Sequence, residues 1–443
     1  MQGTKDLTQG PIGRQLFNLA IPIMGTSFTQ MAYSLTDMAW IGRLGSEAVA
    51  AIGAVGIITW MTSSIALLNR VGSEVSVGQS IGAQDAEKAR SFAAHNLTLS
   101  LLISVLWGSL LFLFAFPIIN LYKLDASITR EAATYLRIVA GAFPFVFLSA
   151  AFTGIYNASG QTKVPFLISA TGLVINMVLD PLFIRVFDWG VSGSALATWI
   201  SQGIVFFLFL YAIKRRKPLF DGFPLFIKLQ GVYTRHILQL GLPVALLNAL
   251  FAVINLFIAR TASLSGGHIG LMTLTAGGQI EAIAWNTSQG FSSALSAFVA
   301  QNYAAKKRQR LNAAYHTTLM MTSILGIFCT ILFVFFGSEV FSLIVPTREA
   351  YLSGGVFLRI DGYSMWFMML EITMQGLFYG TGRTLPPAFI SVTFNLLRIP
   401  LAIFLAGTTL GIEGVWWAIS ITSILKGIVA FGWFRLLRNR LFK

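Results

Sequence analysis

A chain of 443 residues that is 55% hydrophobic and only 11% charged is not an ordinary soluble domain, in which about a quarter of the residues carry charge. Its formal net charge of +14 would suggest nucleic-acid binding in a soluble protein, so the positions of those charges must be read first. The single Cys329, the four scattered histidines (His95, His236, His268, His316) and the lack of any GxxxxGK[ST] run exclude a disulfide framework, a transition-metal cluster and nucleotide hydrolysis, so neither an enzyme nor a cofactor is expected.

About 20 apolar residues cross a bilayer as a helix. Such runs fall at residues 14–41, 48–76, 90–116, 130–156, 164–187 and 191–213, then 235–261, 271–299, 313–337, 350–379, 386–408 and 412–434. The expected fold class is all-α: a polytopic membrane protein of twelve transmembrane helices. Residues 1–13 are polar, and the run from Leu16 to Trp40 has no short apolar core with a small-residue cleavage site, so it reads as a retained first helix. Pro22 lies inside it, where proline removes a backbone hydrogen bond and bends the helix. It is read as a hinge because the same helix carries Asp37.

Lys and Arg gather at both termini and in the even-numbered loops, among them Lys88, Lys163, Lys214, Lys306, Arg308, Arg383 and Arg438; the odd loops hold only Arg43, Lys123, Arg130, Arg185, Arg260 and Arg348. By the positive-inside rule both termini are cytoplasmic in a multi-pass protein of the cell (inner) membrane. The excess charge then orients the chain and meets anionic lipid. The bilayer is the expected partner, and nucleic acid is not.

The longest cytoplasmic connection, residues 214–234, carries Lys214, Arg215, Arg216, Lys217, Pro218, Gly222 and Pro224 and reads as a joint between halves. Its Phe220, Phe223, Phe226 and Ile227, interleaved with Lys228, fit an interfacial segment or an ordinary linker equally well. The expected domains are an N-lobe at 1–213, a linker at 214–234 and a C-lobe at 235–443.

The halves repeat. Arg14 precedes Pro22 by eight residues and Arg235 precedes Pro243 by eight; Leu136-Arg137-Ile138 recurs as Leu358-Arg359-Ile360; Gly154, Gly160 and Pro165 recur as Gly376, Gly382 and Pro387; and Gln79 recurs as Gln301. The offset is 221 residues at the first pair and 222 at the others. Two six-helix lobes of even span number enter from the same side, which gives parallel pseudo-symmetric repeats, a substrate path between lobes and alternating access.

The fifth span, from Gly172 to Ile184, is apolar except for Asn176 and Asp180. These are four residues apart and share one helical face. At about 1.5 Å of rise per residue, Asp37 lies roughly 6 Å from the outer end of its span, Asp180 and Thr198 roughly 10 Å and Tyr135 roughly 8 Å. Four helices thus bring polar groups to one level. A buried carboxylate pair can take up a proton, and the same carboxylate, amide and hydroxyl oxygens can ligate Na⁺. The second half holds Ile258, Arg398 and Ala402 at the positions of Asp37, Asn176 and Asp180, so the ion site is expected in one lobe only. Glu281 and Asp361 could meet a cationic substrate or serve Arg359 and Arg398 as structural partners; Glu371 is a further acid. Arg137 reads as a fixed countercharge. Met31, Met38, Met61, Met365, Met368 and Met369 are candidates for a soft, repackable substrate surface.

At these residues the chain resembles the MATE family of multidrug and toxic compound extrusion antiporters, most of all its DinF branch. The resemblance rests on Pro22, on Thr36-Asp37-Met38-Ala39-Trp40-Ile41-Gly42-Arg43-Leu44-Gly45, on Val77-Gly78-Gln79-Ser80-Ile81-Gly82-Ala83, on Gly154-Ile155-Tyr156-Asn157-Ala158-Ser159-Gly160 and on Asn176 with Asp180-Pro181. It implies export of lipophilic organic cations in exchange for H⁺ or Na⁺, with Asp37, Asn176, Asp180 and Thr198 as the coupling site, a bend at Pro22 linked to protonation, and a monomer. The NorM branch adds an aspartate in the tenth span where this chain has Met368. The rival is a lipid-linked precursor flippase of the same superfamily, for which Arg137, Arg359 and Arg398 would supply a cationic cavity.

Overall fold

Inside a bilayer no water is at hand for backbone N–H and C=O groups, so an apolar run must satisfy them within itself as a helix. The computed structural model, which describes residues 3–215 and 222–441, is built of helices and has no strand among the described residues. In chain order these are α1 (Ile12–Ile41), α2 (Ser46–Gly82), α3 (Ala86–Asn120), α4 (Ala126–Ala140), α5 (Phe143–Ala158), α6 (Lys163–Pro181) with a five-residue π-helical turn at Leu182–Val186, α7 (Gly190–Arg215), α8 (Gly231–Ala304), α9 (Arg308–Ser342), α10 (Arg348–Gly380), α11 (Leu385–Ala406) and α12 (Ile412–Leu441).

Among the described residues eight helices are long and apolar enough to cross a membrane, or nine when α4 and α5, bent by 46° at Gly141-Ala142, count as one span. The remaining passes have physical reasons for escaping that test. α8 is broken at Gly267 (φ 59°, ψ −148°) and turns back, so that a Cβ on Gly270 would sit 2.7 Å from the Ala262 carbonyl. α1 is interrupted by Asn18, Thr26, Ser27, Thr29 and Gln30 before it reaches Asp37, and α10 carries Arg359, Asp361, Glu371 and Gln375. With these the twelve-helix membrane fold is complete.

The internal repeat is visible in the backbone. Left-handed residues recur in both halves at offsets of 222, 222 and 221 residues: Gln84 and Lys306 (φ 60° and 56°), Gly160 and Gly382 (75° and 79°), Gly190 and Gly411 (50° and 54°). Gly154 and Gly376 are equivalent too, because a Cβ on the first would collide with the Arg70 carbonyl and on the second with the Ser292 carbonyl. Each glycine lets the fifth helix of unit 1, or its counterpart α10, lie directly on a neighbouring backbone.

The chain packs as two units: one holds the residues up to Leu7 and Ile21–Ala245, the other Thr8–Ala20 and the chain from Leu246 onward. The changes of unit fall next to Pro22 in α1 and just after Pro243 in α8. In the second unit Lys307 donates to the Thr8 carbonyl (3.1 Å) and Arg310 to the Gly10 carbonyl (2.8 Å) and Gln15 Oε1 (3.0 Å). In the first, His95 stacks on Tyr233 of α8 with centroids 4.6 Å apart. Of the connection between halves, residues 216–221, which include Arg216, Lys217, Pro218 and Phe220, lie outside the described residues. Beyond them the Ile227 amide donates to Thr98 Oγ1 (3.0 Å), Phe223 and Leu225 pack on the first unit's core, and Phe226 is exposed. Cys329 is buried in the second unit's core.

Candidate functional site: a carboxylate pair in the first unit

α6 carries its polar pair on one face: the Asn176 amide points at Asp180 Oδ1 (3.4 Å), and neither residue has any exposed surface. Pro181 follows directly, and the α-helix gives way to the π-helical turn at Leu182. Such a widened turn is a recurrent feature beside functional side chains. α1 brings Asp37 against Asp180, Asn176 and Thr198. One turn earlier on α1, Tyr33 points its hydroxyl at Ser201 of α7 without closing a hydrogen bond. Tyr135 of α4, buried, completes the surround within electrostatic reach of both carboxylates. The structure therefore brings Asp37, Tyr135, Asn176, Asp180 and Thr198 to one place.

Gly172 makes the approach of α1 to α6 feasible, because a Cβ there would lie 2.7 Å from the Tyr33 hydroxyl and overlap Val205. Gly172→Ala is expected to cost about 1–3 kcal/mol through overpacking, read as a lower unfolding temperature in detergent. Adding Tyr33→Phe, which removes the crowded oxygen, is expected to recover part of the loss; no recovery would mean the crowding lies elsewhere.

The site is unsatisfied. Asp37 Oδ1, Asn176 Oδ1, Asp180 Oδ2, Thr198 Oγ1 and, one turn before Thr198 on α7, Ser194 Oγ are all buried with no hydrogen-bond partner, where such atoms are costly. No ion pair joins either aspartate to a cation among the described residues. Arg43 and Arg185, on the segments that follow α1 and α6, stack on Trp40 at 4.6 and 5.7 Å from its ring centre. Two like charges about 4 Å apart repel by about 4 kcal/mol at an effective dielectric of 20. A proton or a small hard cation between these oxygens would remove that repulsion and supply the missing partners, and Asp37, Asn176, Asp180 and Thr198 have the oxygen donors that Na⁺ takes.

The second unit is organised differently. Ile258 and Ala402 are core residues, and Arg398 is buried. Arg398 donates to Thr422 Oγ1 (2.9 Å) and Ser423 Oγ (3.1 Å) and lies within electrostatic reach of Glu281, Asp361 and Glu371. Glu371 pairs with Lys426 (3.3 Å) and accepts from Ser391 (2.5 Å) and Gln375 (3.1 Å). Sequence reasoning missed Lys426, although it is the only charged residue between Glu413 and Arg435; it also missed Tyr33, Ser194 and Ser201, since tyrosine and serine are unremarkable in a span. Met31 and Met61 are partly buried and Met38 is exposed. Met365, Met368 and Met369, read as a soft substrate surface, are instead buried in the second unit's core, where Met369 Sδ fills the space beside Gly326. Arg137, read as a fixed countercharge, is exposed and has no carboxylate partner among the described residues; its Nε donates to the Phe112 carbonyl at 3.4 Å.

Twelve helices in two repeats, with a polar niche inside one of them, define a polytopic helical membrane protein of the transporter type. The sequence profile of the MatE family matches residues 22–182 and 243–404, and the chain belongs to that family. It is similar to the "Probable multidrug resistance protein NorM" of Thermotoga maritima, 23% identical over 420 residues that cover 91% of this chain and 88% of the relative. It is also similar to the "FAD transporter" of Shewanella oneidensis, 26% identical over 446 residues covering 97% and 96%. Among solved structures, a MATE in complex with MaD3S superposes with a TM-score of 0.92 at 24% identity, over 98% of both chains, which supports the fold.

Proposed function

We propose that this chain is a secondary active multidrug efflux antiporter that exports lipophilic organic cations in exchange for H⁺ or Na⁺. The observation that carries the reading is the enclosed Asp37–Asp180 pair with its unpartnered oxygens and no countercharge: the niche is incomplete until a small cation enters. In this mechanism the ion binds the two arms of the niche, α1 and α6–α7, and so favours one conformation of the first unit. Linkage requires ion and drug each to bind the two conformations unequally, by a few kcal/mol. Pro22, inside α1 and beside the change of unit at Ile21, is the hinge. Both termini lie in the cytoplasm of a cell-membrane protein acting as a monomer, as the distribution of Lys and Arg and the family resemblance suggest.

The flippase alternative is less well supported, because Arg398 alone of its three arginines is buried, and it already donates to Thr422 and Ser423 and lies among Glu281, Asp361 and Glu371. The deciding experiment is transport of an ethidium-like cation by the purified protein in liposomes, with a pH gradient and a Na⁺ gradient imposed separately. Uptake driven by one gradient and dissipation of that gradient by the drug are expected. Drug movement indifferent to both gradients would end the antiport reading.

A further inference from the structure

The elbow between α4 and α5 leaves a groove against α3. Its volume is about 360 Å³, within the range that holds a sizeable ligand. Val105, Gly108, Ser109 and Phe112 of α3 line it with Gly141 and Pro144 of the elbow. Small residues shape it: a Cβ on Gly108 would sit 3.0 Å from the Ala140 carbonyl, and one on Gly141 3.1 Å from Trp199 Nε1. The outward residues of α3 here are apolar and exposed, Leu113 at 68%, so the groove opens on the face that hydrocarbon covers.

Arg137 stands at one end of this groove. It lies on α4 three residues before the lining residue Ala140, hence on the same helical face, and its one hydrogen bond goes to the carbonyl of Phe112, itself a lining residue. Arg137 is exposed, unlike its neighbours Tyr135 and Leu136, and no carboxylate pairs with it among the described residues. An arginine within a span is costly unless its head reaches the interface or an anion. It lies seven residues, about 10 Å of helix, inward from the polar Arg130-Glu131 step, close enough for a long side chain to turn back toward the headgroups. The repeat places Arg359 at the same position of α10, and it too is exposed.

We propose that this groove is a phospholipid site, in which the Arg137 guanidinium takes the phosphodiester of a bilayer lipid and the cleft at the α4–α5 elbow takes one of its acyl chains. A phosphate supplies the planar-fork guanidinium with the anion the protein withholds, and an acyl chain fills the apolar cleft between α3 and the elbow. The site rests on the membrane setting alone, independently of what the protein transports.

The test uses the full-length protein in liposomes with traces of phosphatidylglycerol bearing a diazirine on one acyl chain, or of diacylglycerol bearing the same chain, and maps the photo-adducts. Wild type is expected to label along residues 105–113 and at Pro144 with the phospholipid, about tenfold more than with diacylglycerol, as loss of a charged hydrogen-bonding partner implies. Arg137→Gln is expected to drop phospholipid labelling to the diacylglycerol level, Arg137→Lys to keep most of it, and Arg130→Gln to leave it unchanged. Ser109→Phe, an exposed lining position, should fill the cleft and reduce labelling by both lipids. Equal phospholipid labelling of wild type and Arg137→Gln, or no preference of wild type for the phospholipid, would overturn the assignment.

Discussion

Asp37→Asn and Asp180→Asn are each expected to reduce drug export to the background of empty vesicles while leaving the folded protein as stable as wild type or more so. The two halves of that expectation come from one fact. The aspartates lie together with one buried oxygen each, Asp37 Oδ1 and Asp180 Oδ2, that no protein group satisfies, so when both are ionised and no cation is bound they repel. Replacing one carboxylate with its isosteric amide removes the repulsion and supplies an N–H donor from which the remaining carboxylate can accept. It also removes the charge that attracts the ion. A residue kept for packing or hydrogen bonding would behave in the opposite way, losing stability on substitution. Stability conserved with transport lost is the signature of groups that are held under strain for function. Asp188→Asn, in the exposed segment after the π-helical turn, is the control and should export like wild type. Export by both niche variants at the wild-type rate would sink the coupling site; a sharp fall in unfolding temperature for either would reassign that aspartate to structure.

How far the niche could be read in advance depended on contrast. Asp37, Asn176 and Asp180 interrupt apolar runs, and their depths along ideal helices place them at one level, so polarity and the helix rise were enough to nominate them. Tyr33, Ser194 and Ser201 stand on the same inner faces but carry no such contrast, and only the packing of α1 on α6 and α7 shows where their hydroxyls point. The repeat was legible in its punctuation, Pro22 with Pro243 and Gly160 with Gly382, because turns and kinks demand particular residues. Gln84 and Lys306 share a left-handed backbone with no residue type to announce it. The change of unit beside each proline was hidden for another reason: membership of a packing unit is a property of contacts, and local sequence does not encode it. Met365, Met368 and Met369 misled because methionine fills cores as readily as it lines promiscuous surfaces.

The second unit should answer substitution in the reverse sense. Lys426→Met is expected to cost about 3–5 kcal/mol, visible as a large drop in unfolding temperature and in recovered protein, because it leaves Glu371 as a buried charge without its ion-pair partner. The nearby Arg398 is already committed to Thr422 and Ser423 and can moderate the loss only through its field. Glu371→Gln combined with Lys426→Met should restore most of the stability: the amide still accepts from Ser391 and Gln375, and the paired desolvation cost disappears from both sides at once. A Lys426→Met protein as stable as wild type, or a double variant as unstable as the single, would show that the pair at 3.3 Å is not the unit of stabilisation. The contrast between lobes follows from who supplies the cation. The second unit carries its own, Arg398 and Lys426, fixed to the chain and bonded, so Glu371 keeps a permanent ion-pair partner and serves the fold. In the first unit no ion pair joins Asp37 or Asp180 to a cation among the described residues, and a carboxylate pair that must borrow its countercharge from solution is one that can also give it back.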